Sequence, residues 1–203
     1  MKNQRNLVVI VVLMVLIIDQ VSKYWVKTNM VIGESFGPGW FLIHYVENEG
    51  AAFGTSFGGS IGKYALSLFR VFAIGYLIHL IRKFIDKKLP NGFLICASLI
   101  LAGAIGNMID SAFYGLIFTE STFQNVAELV SWGDGYGSFL QGKVVDMLHF
   151  PLFEGTFPDW LPLWGGERFE FFRYIFNVAD AGISVGVAAL LLFYRKVFQQ
   201  GLI

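Results

Sequence analysis

Two Asn–Asp pairs with the same three-residue spacing lie in otherwise apolar parts of the sequence. Asn107 and Asp110 occur in GAIGNMID, and Asn177 and Asp180 occur in FNVADAGISVG. Residues three apart share a helix face, so each amide is expected to donate a hydrogen bond to the carboxylate beside it. A carboxylate at membrane depth is costly, and one that persists usually serves a function. The pairs therefore indicate carboxyl chemistry in an apolar setting.

Two further aspartates, Asp19 in DQVSK and Asp146 in KVVDMLHF, also interrupt apolar runs. Asp19 and Lys23 are four residues apart, which favours an ion pair within one helix and a structural role for Asp19. The position of Asp110 near a predicted helix end fits a capping role as well as a functional one. Asp180 lies deep in its apolar run, which favours function.

Carboxyl groups held close together have a characteristic chemistry. Both cannot ionise cheaply, so the pair shares a proton and one member acts as base while the other acts as acid. The base draws a proton from a water that attacks a peptide carbonyl, as in an aspartic protease, and no metal or cofactor is expected. The sequence has no HExxH metal set and no GxSxG elbow. Ser22 and Lys23 are adjacent, so they point about 100° apart on a helix and suit Ser/Lys catalysis poorly.

The elements that must position these groups are expected to lie in a membrane. The 203 residues are 55% hydrophobic and 15% charged, and the mean hydropathy is +0.59. These values are typical of a polytopic membrane protein. The formal net charge is zero, so nothing suggests a nucleic-acid partner. The single cysteine, Cys96, excludes an intrachain disulfide and is expected to be a small buried hydrophobe.

Four apolar stretches each approach the roughly 20 residues that cross about 30 Å of hydrocarbon as a helix. They cover about residues 7–26, 64–83, 93–110 and 172–194. Basic residues cluster on one side of these spans: Lys2, Arg5, Arg82, Lys83, Lys87, Lys88, Arg195 and Lys196. Because basic loops stay in the cytoplasm, both termini are predicted to lie inside.

The two remaining segments, about 28–63 and 111–171, are then periplasmic. The alternation in WFLIHYVEN, residues 40–48, predicts a small sheet. The second segment is rich in glycine, proline and aromatic residues, which favours loops and short helices near the headgroups. The predicted fold is an all-α membrane protein: one integral domain over residues 1–203, with four transmembrane helices and a small periplasmic β/loop subdomain at the membrane surface.

These spans predict where the aspartates meet. Asp19 lies about 18 Å along the first helix at 1.5 Å per residue, which is past the midplane. Asp110 is near the outer end of the third helix. If the fourth helix starts near Phe172, Asn177 and Asp180 lie one to two turns below the outer surface. Four aspartates from separate segments, Asp146 included, are therefore expected to converge in the outer half of the membrane.

Five motifs in this order resemble the lipoprotein signal peptidase family, also called signal peptidase II, of bacteria. They are DQVSK, NEGAAFG, GAIGNMID, VVDM and FNVADAGISVG. The resemblance implies a multi-pass aspartic endopeptidase of the bacterial inner membrane with its active site on the periplasmic side. Its expected partners are membrane lipids and a prolipoprotein substrate, cleaved just before a diacylglyceryl-modified cysteine. A monomer is expected.

The resemblance also implies roles for individual residues. Asp146 of the VVD motif and Asp180 of the FNxAD motif would form the catalytic dyad. The residues expected to bind substrate or support the dyad are Asp19, Lys23, Asn48, Gly50, Asn107, Asp110 and Asn177. The family motif usually continues GNxxDR, but Ser111 follows Asp110 here, so an arginine is missing at that position. Residues 113–142 also form a longer segment than the family needs.

Two other functions fit four apolar helices with buried acids. A small transporter would use the aspartates as a proton relay, although the acids cluster on one side and no inverted repeat is evident. A non-enzymatic scaffold would explain the helices but not the paired Asn and Asp residues. Replacing Asp146 or Asp180 by Asn separates the three: a protease loses cleavage, a relay loses proton flux, and a scaffold loses neither.

Overall fold

Helices make up most of the protein in the computed structural model, which describes residues 2–49 and 59–199. The helices are α1 (Lys2–Asn29), α2 (Gly59–Asp86), α3 (Asn91–Ile109), α4 (Gly115–Ile117), α5 (Val178–Phe193) and α6 (Arg195–Gln199). A π-helical turn, Asp110–Tyr114, joins α3 to α4. Three helical segments of the described chain are long and apolar enough to cross a membrane: Lys2–Asn29, Ile61–Asp86 and Asn91–Ile117.

The fourth apolar helix differs from its prediction. The predicted span began near residue 172, whereas α5 begins at Val178 and has 16 residues. The residues just before it are held by a strand instead, because the backbone of Phe176 exchanges hydrogen bonds with Leu148 at 2.7 and 3.1 Å. Asn177 is consequently the N-cap of α5, and Asp180 lies in its first turn rather than one to two turns inside.

Two small antiparallel sheets lie in the segments between the long helices. The first has the order β1 (Ser35–Phe36), β2 (Leu42–Asn48) and β3 (Val144–His149), and the second pairs β4 (Phe153–Thr156) with β5 (Arg168–Phe171). The sheet predicted at residues 40–48 is confirmed as β2. Its register places Val46 opposite Asp146. The alternating sequence of β2 therefore supports the strand that carries one candidate acid.

Glycines allow α3 to pack tightly on α5 and α1. A Cβ atom at Gly103 would lie 2.2 Å from the Ala179 carbonyl oxygen, and one at Gly106 would lie 2.6 Å from Asp19 Oδ2. A Cβ at Gly186 would lie 2.7 Å from the carbonyl oxygen of Cys96, which is buried as predicted. Such small-residue contacts are how membrane helices approach closely.

Two apolar clusters pack around α1, one toward each end. The first includes Val8 with side chains of α2 and α3, and the second includes Val26 with Tyr45, Phe118 and other residues of the outer segments. Val8 and Val26 are 18 residues apart, or about 27 Å along a helix. Asp19 and Lys23 of α1 lie between the two clusters and are fully buried.

A buried polar cluster fastens the long 113–142 segment to α1 and β2. Lys27, fully buried, forms an ion pair with Glu47 and donates to Ser121 Oγ at 3.0 Å. The Lys27 ammonium also lies over the Phe118 and Tyr136 rings, 5.4 and 5.1 Å from their centroids. Burial alone would raise the pKa of Glu47, but the charge of Lys27 holds that pKa below its ordinary value. The extra segment is thus a packed part of the outer structure.

Candidate active site

Asp146 and Asp180 come from different elements that are joined by backbone hydrogen bonds. Asp146 lies in β3, and Asp180 lies in the first turn of α5. The Met147 and Leu148 amides donate to the Phe176 carbonyl at 3.1 and 2.7 Å. The strand therefore runs beside the residue that precedes the α5 cap, which brings both aspartates to one end of the helix bundle.

Asn177 links the two aspartates directly. Its side-chain Oδ1 accepts from the Asp180 amide at 2.9 Å, and its backbone N–H faces Asp180 Oδ2 at 3.5 Å, forming a capping box. Its side-chain Nδ2 donates to Asp146 Oδ1 at 2.6 Å. One fully buried amide thus sets the start of α5 and orients the Asp146 carboxylate.

Asn107 holds the other carboxylate. Its Nδ2 donates to Asp180 Oδ1 at 2.7 Å, while its Oδ1 accepts from Lys23 Nζ at 2.9 Å. The ammonium can only donate, so it fixes which end of the Asn107 amide faces Asp180. The prediction that each Asn side chain donates to the Asp three residues later was wrong, because Nδ2 of Asn107 donates to Asp180 and Nδ2 of Asn177 donates to Asp146. Asn177 and Asp180 are nevertheless neighbours, since they form the capping box.

Lys23 forms the centre of a buried ion cluster. Its Nζ lies 2.9 Å from both Asp19 Oδ2 and Asp110 Oδ2, and all three side chains are fully buried. The ion pair predicted between Asp19 and Lys23 is confirmed, with Asp110 as a second partner. Asp19 Oδ1 also accepts from the Ala179 amide at 2.9 Å, which satisfies an otherwise unpaired donor at the start of α5.

Asp110 supports the strand that carries Asp146. Its Oδ2 accepts from the Val145 amide at 3.3 Å, and its Oδ1 accepts from Gln20 Nε2 at 2.9 Å. Asn48, on β2, approaches the outer side of the pair with Nδ2 at 3.4 Å from Asp146 Oδ2. Gly50, the remaining predicted site residue, lies outside the described residues.

The electrostatics of the site favour one protonated carboxyl group. Burial and, to a lesser extent, the nearby Asp180 carboxylate raise the pKa of Asp146 to about 7. Hydrogen bonds from Asn177 and Asn48, with the charge of Lys23, oppose that rise. Asp146 is 6% exposed and Asp180 is half-buried. The arrangement can therefore hold one proton near neutral pH and admit water from the Asp180 side.

Residues 11–196 match the family model described as "Signal peptidase (SPase) II". The chain belongs to the signal peptidase II family. Membership of this family implies that the protein is a protease, and its long apolar helices are those of a membrane protein.

Relatives of known family support the same assignment over nearly the whole chain. A "Lipoprotein signal peptidase" of Porphyromonas gingivalis is 50% identical over 196 residues, which cover 95% of this chain and 84% of that protein. The protein of the same description from Amoebophilus asiaticus is 36% identical, covering 94% of this chain and 78% of its own length. A solved structure titled "Bacterial membrane enzyme structure by the in meso method at 1.9 A resolution" is 25% identical, with a TM-score of 0.55, over 91% of this chain and 90% of that one.

Two polar residues of α1 and α2 also reach the site of this signal peptidase II family member, and sequence analysis did not single them out. Gln20 bonds to Asp110, and its Nε2 lies 3.1 Å from Asp19 Oδ2. Arg70 Nη1 donates to Ser111 Oγ at 3.1 Å. Each residue interrupts an apolar span, and a charged residue inside a span is itself a functional signal. The charge of Arg70 within the predicted second span could therefore have identified it from the sequence.

Proposed function

We propose that this protein is a membrane aspartic endopeptidase that removes the signal peptide from lipid-modified prolipoproteins, cleaving just before the diacylglyceryl-cysteine. The observation that carries the proposal is the position of Asn177, which bonds to Asp146 and caps the turn that holds Asp180. Two carboxyl groups held by one amide are equipped to share a proton and a water. The substrate class follows from the family and from the relatives described as lipoprotein signal peptidases.

In this mechanism the two aspartates have separate tasks. Asp146, whose pKa is raised to about 7, holds the proton and donates a hydrogen bond to the scissile carbonyl oxygen as it gains charge. Asp180 is the base that takes a proton from the attacking water. Asn107 holds Asp180 in place through its 2.7 Å bond. The other residues act indirectly. Asp19 and Lys23 fix the start of α5, Asp110 fixes β3, and Asn48 bonds to Asp146. The substrate-binding role that the resemblance implies for Asn48 and Gly50 remains part of the proposal.

The proposed setting is the bacterial inner membrane. We infer four spans, with α5 as the fourth, both termini in the cytoplasm, and the sheets on the periplasmic side. The basic residues at Arg82, Lys83 and Arg195 support this orientation. The site then lies near the outer headgroups, where the lipid chains of a substrate cysteine would be anchored. The chain is proposed to act as a monomer.

The test is cleavage of a synthetic lipidated prolipoprotein by the purified protein in detergent, followed by mass spectrometry. Cleavage is expected just before the modified cysteine and unchanged by chelator. Asp146→Asn and Asp180→Asn are each expected to reduce kcat by about 10³-fold or more while substrate binding persists. Asp134→Asn, an exposed aspartate on the outer segment, is the matched control. Equal cleavage of the unlipidated precursor would contradict the substrate class, and full activity of either dyad variant would contradict the mechanism.

A further inference from the structure

Arg70 reaches the position where the sequence lacks the arginine of the GNxxDR motif. Ser111 occupies that position and is buried in the π-helical turn after α3. Arg70 comes from α2, a different element, and its Nη1 donates to Ser111 Oγ at 3.1 Å. A guanidinium group is thus present beside Asp110, although residue 111 does not supply it.

The contacts of Ser111 connect Arg70 to one of the two carboxylates. Ser111 Oγ donates to the Asn107 carbonyl oxygen at 3.0 Å, and the Asn107 side chain donates to Asp180 at 2.7 Å. The carboxylates of Asp180, Asp110 and Asp146 are all near enough to stabilise the positive charge of Arg70. The guanidinium therefore lies among the carboxylates of the site.

Lys23 is the other cation of the site, and its ammonium group already contacts three oxygen atoms. Lys23 Nζ has three N–H groups, and it lies 2.9 Å from an oxygen of each of Asp19, Asp110 and Asn107. Its charge is directed at the buried ion cluster behind Asp180. Among the described residues, Arg70 is a second cation near the Asp180 carboxylate, and its charge is not taken up by the Lys23 cluster.

We propose that Arg70 is a positioning residue of the peptidase reaction, supplying from α2 a positive charge that stabilises the singly ionised carboxyl pair. The proposal rests on the aspartic peptidase function proposed above. It assigns a role to a charged residue within an apolar helix, a placement that is expensive unless the charge is used. It also explains why serine is tolerated at position 111.

The direction of the effect on pH dependence follows from the charges that face Arg70. These are Asp180 from α5, Asp110 from the π-helical turn and Asp146 from β3, while Lys23 from α1 adds positive charge on the other side. Removing a positive charge makes each ionisation of the carboxyl pair harder. Both limbs of the pH–rate profile should therefore move to higher pH when Arg70 loses its charge. The acid limb reports the ionisation that produces the active, singly ionised carboxyl pair.

The Arg70→Met variant removes the positive charge and so tests its role in the pH dependence. The acid limb of kcat is expected to move up by about one pH unit, so that the rate at a fixed pH well down that limb falls about tenfold, with little change in KM. Arg70→Lys keeps the charge and should leave the limb within about half a unit of the wild type. Arg82→Met removes an exposed arginine at the far end of the same helix and should change nothing.

A charge swap separates this role from a merely structural one. Ser111→Arg alone should impair cleavage, because it adds a like charge next to Arg70. Ser111→Arg combined with Arg70→Met should return the acid limb to its wild-type position.

Two outcomes would overturn the proposal. One is an Arg70→Met variant with the wild-type pH profile, and the other is a folded swap variant that fails to restore that profile. If Arg70→Met does not fold, a shift of more than one unit in Arg70→Lys overturns it instead. A wild-type protein that cleaves nothing would contradict the proposed function itself.

Discussion

At the scale of single residues, the side-chain amide of Asn177 is the group on which the site depends. It donates to Asp146 Oδ1 at 2.6 Å and accepts from the Asp180 amide at 2.9 Å. The same Nδ2 lies 3.2 Å from Asn107 Oδ1, so the two asparagines orient each other. Because the two amides are interlocked, each carboxylate has a fixed orientation before any substrate arrives. Such preorganisation avoids reorganisation during the reaction.

The raised pKa of Asp146 has a cost in stability that a substitution can reveal. Its pKa is about 7 in the folded protein against an ordinary 3.8, so folded Asp146 retains a proton that unfolded Asp146 loses between these values. Its contribution to the unfolding free energy therefore falls as pH rises through that window. Asp146→Asn should abolish cleavage yet raise the thermal midpoint by a few degrees at pH 8.

Thermal unfolding of the wild type and Asp146→Asn at pH 4 and pH 8 checks this prediction. The gap between the two midpoints should be large at pH 8 and small at pH 4, which is close to the ordinary pKa of 3.8, so that little of the ionisation penalty has yet accumulated. Asn177 can still donate to the new amide oxygen, so its bond is retained. Equal midpoints at both pH values would show that Asp146 carries no such penalty.

Sequence analysis identified most of these residues but not their partners. Polar residues in apolar runs are conspicuous, and Asp146, Asp180 and Asn177 were found in this way. Helical spacing placed Asn177 beside Asp180 but did not predict that the Nδ2 groups of Asn177 and Asn107 donate to aspartates of other elements. Partners on other elements follow from tertiary packing, which one-dimensional spacing does not contain.

At the scale of elements, the packing of α3 on α5 sets the position of Asp180. Gly103 lies against the Ala179 carbonyl, one residue before Asp180, and a Cβ there would be only 2.2 Å from that oxygen. The obstacle is backbone, which cannot move aside as a side chain does. Any side chain at position 103 must therefore displace the start of α5.

Gly103→Ala is expected to destabilise the protein by about 1–3 kcal/mol through overpacking and to reduce kcat by displacing Asp180. Gly75→Ala, in α2, is the matched control, because no atom lies within 4 Å of its added Cβ. There the substitution should stabilise the helix slightly or leave it unchanged. Thermal unfolding and cleavage assays on both variants make the comparison. Similar midpoints for the two variants would contradict a tight α3–α5 contact.

The positions of the long helices and of β2 could be predicted from local sequence patterns. The start of α5 and the pairing of the strands could not. Apolar runs located α1, α2 and α3, and alternation located β2. The start of α5 was predicted too early because Phe176 is apolar but pairs with β3. The β4–β5 hairpin was not predicted as strands. Strand pairing joins segments far apart in sequence, such as Val46 and Asp146, and local alternation carries no information about them.

At the scale of the whole molecule, the proposed topology puts the sheets on one side of the membrane and the basic helix ends on the other. A Cys96→Ala background with one new cysteine tests it, because Cys96 is the only native cysteine. Leu163→Cys, at an 86% exposed position in the β4–β5 loop, should react with a membrane-impermeant maleimide in spheroplasts. Asp86→Cys, at the end of α2, should react only after permeabilisation. Labelling of residue 86 in intact spheroplasts would contradict the proposed orientation.

The extra segment at residues 113–142 was visible in the sequence as added length without an assignable purpose. In the folded protein it covers the outer ends of α1 and β2 through Lys27, Glu47 and Ser121. Lys27 follows the first predicted span directly and was assigned no role from the sequence. Its burial depends on rings of Phe118 and Tyr136, about 90 residues or more along the chain, so local sequence did not indicate it.

The bond between Asp19 and the Ala179 amide spans 160 positions of the chain. During translation, α1 enters the bilayer long before α5 has been synthesised. Until the last helix leaves the ribosome, Asp19 lacks its α5 partner and Asp146 faces neither Asn177 nor Asp180. In the proposed mechanism, a nascent or prematurely terminated chain would therefore lack hydrolytic activity, which would arise only once α5 is in place.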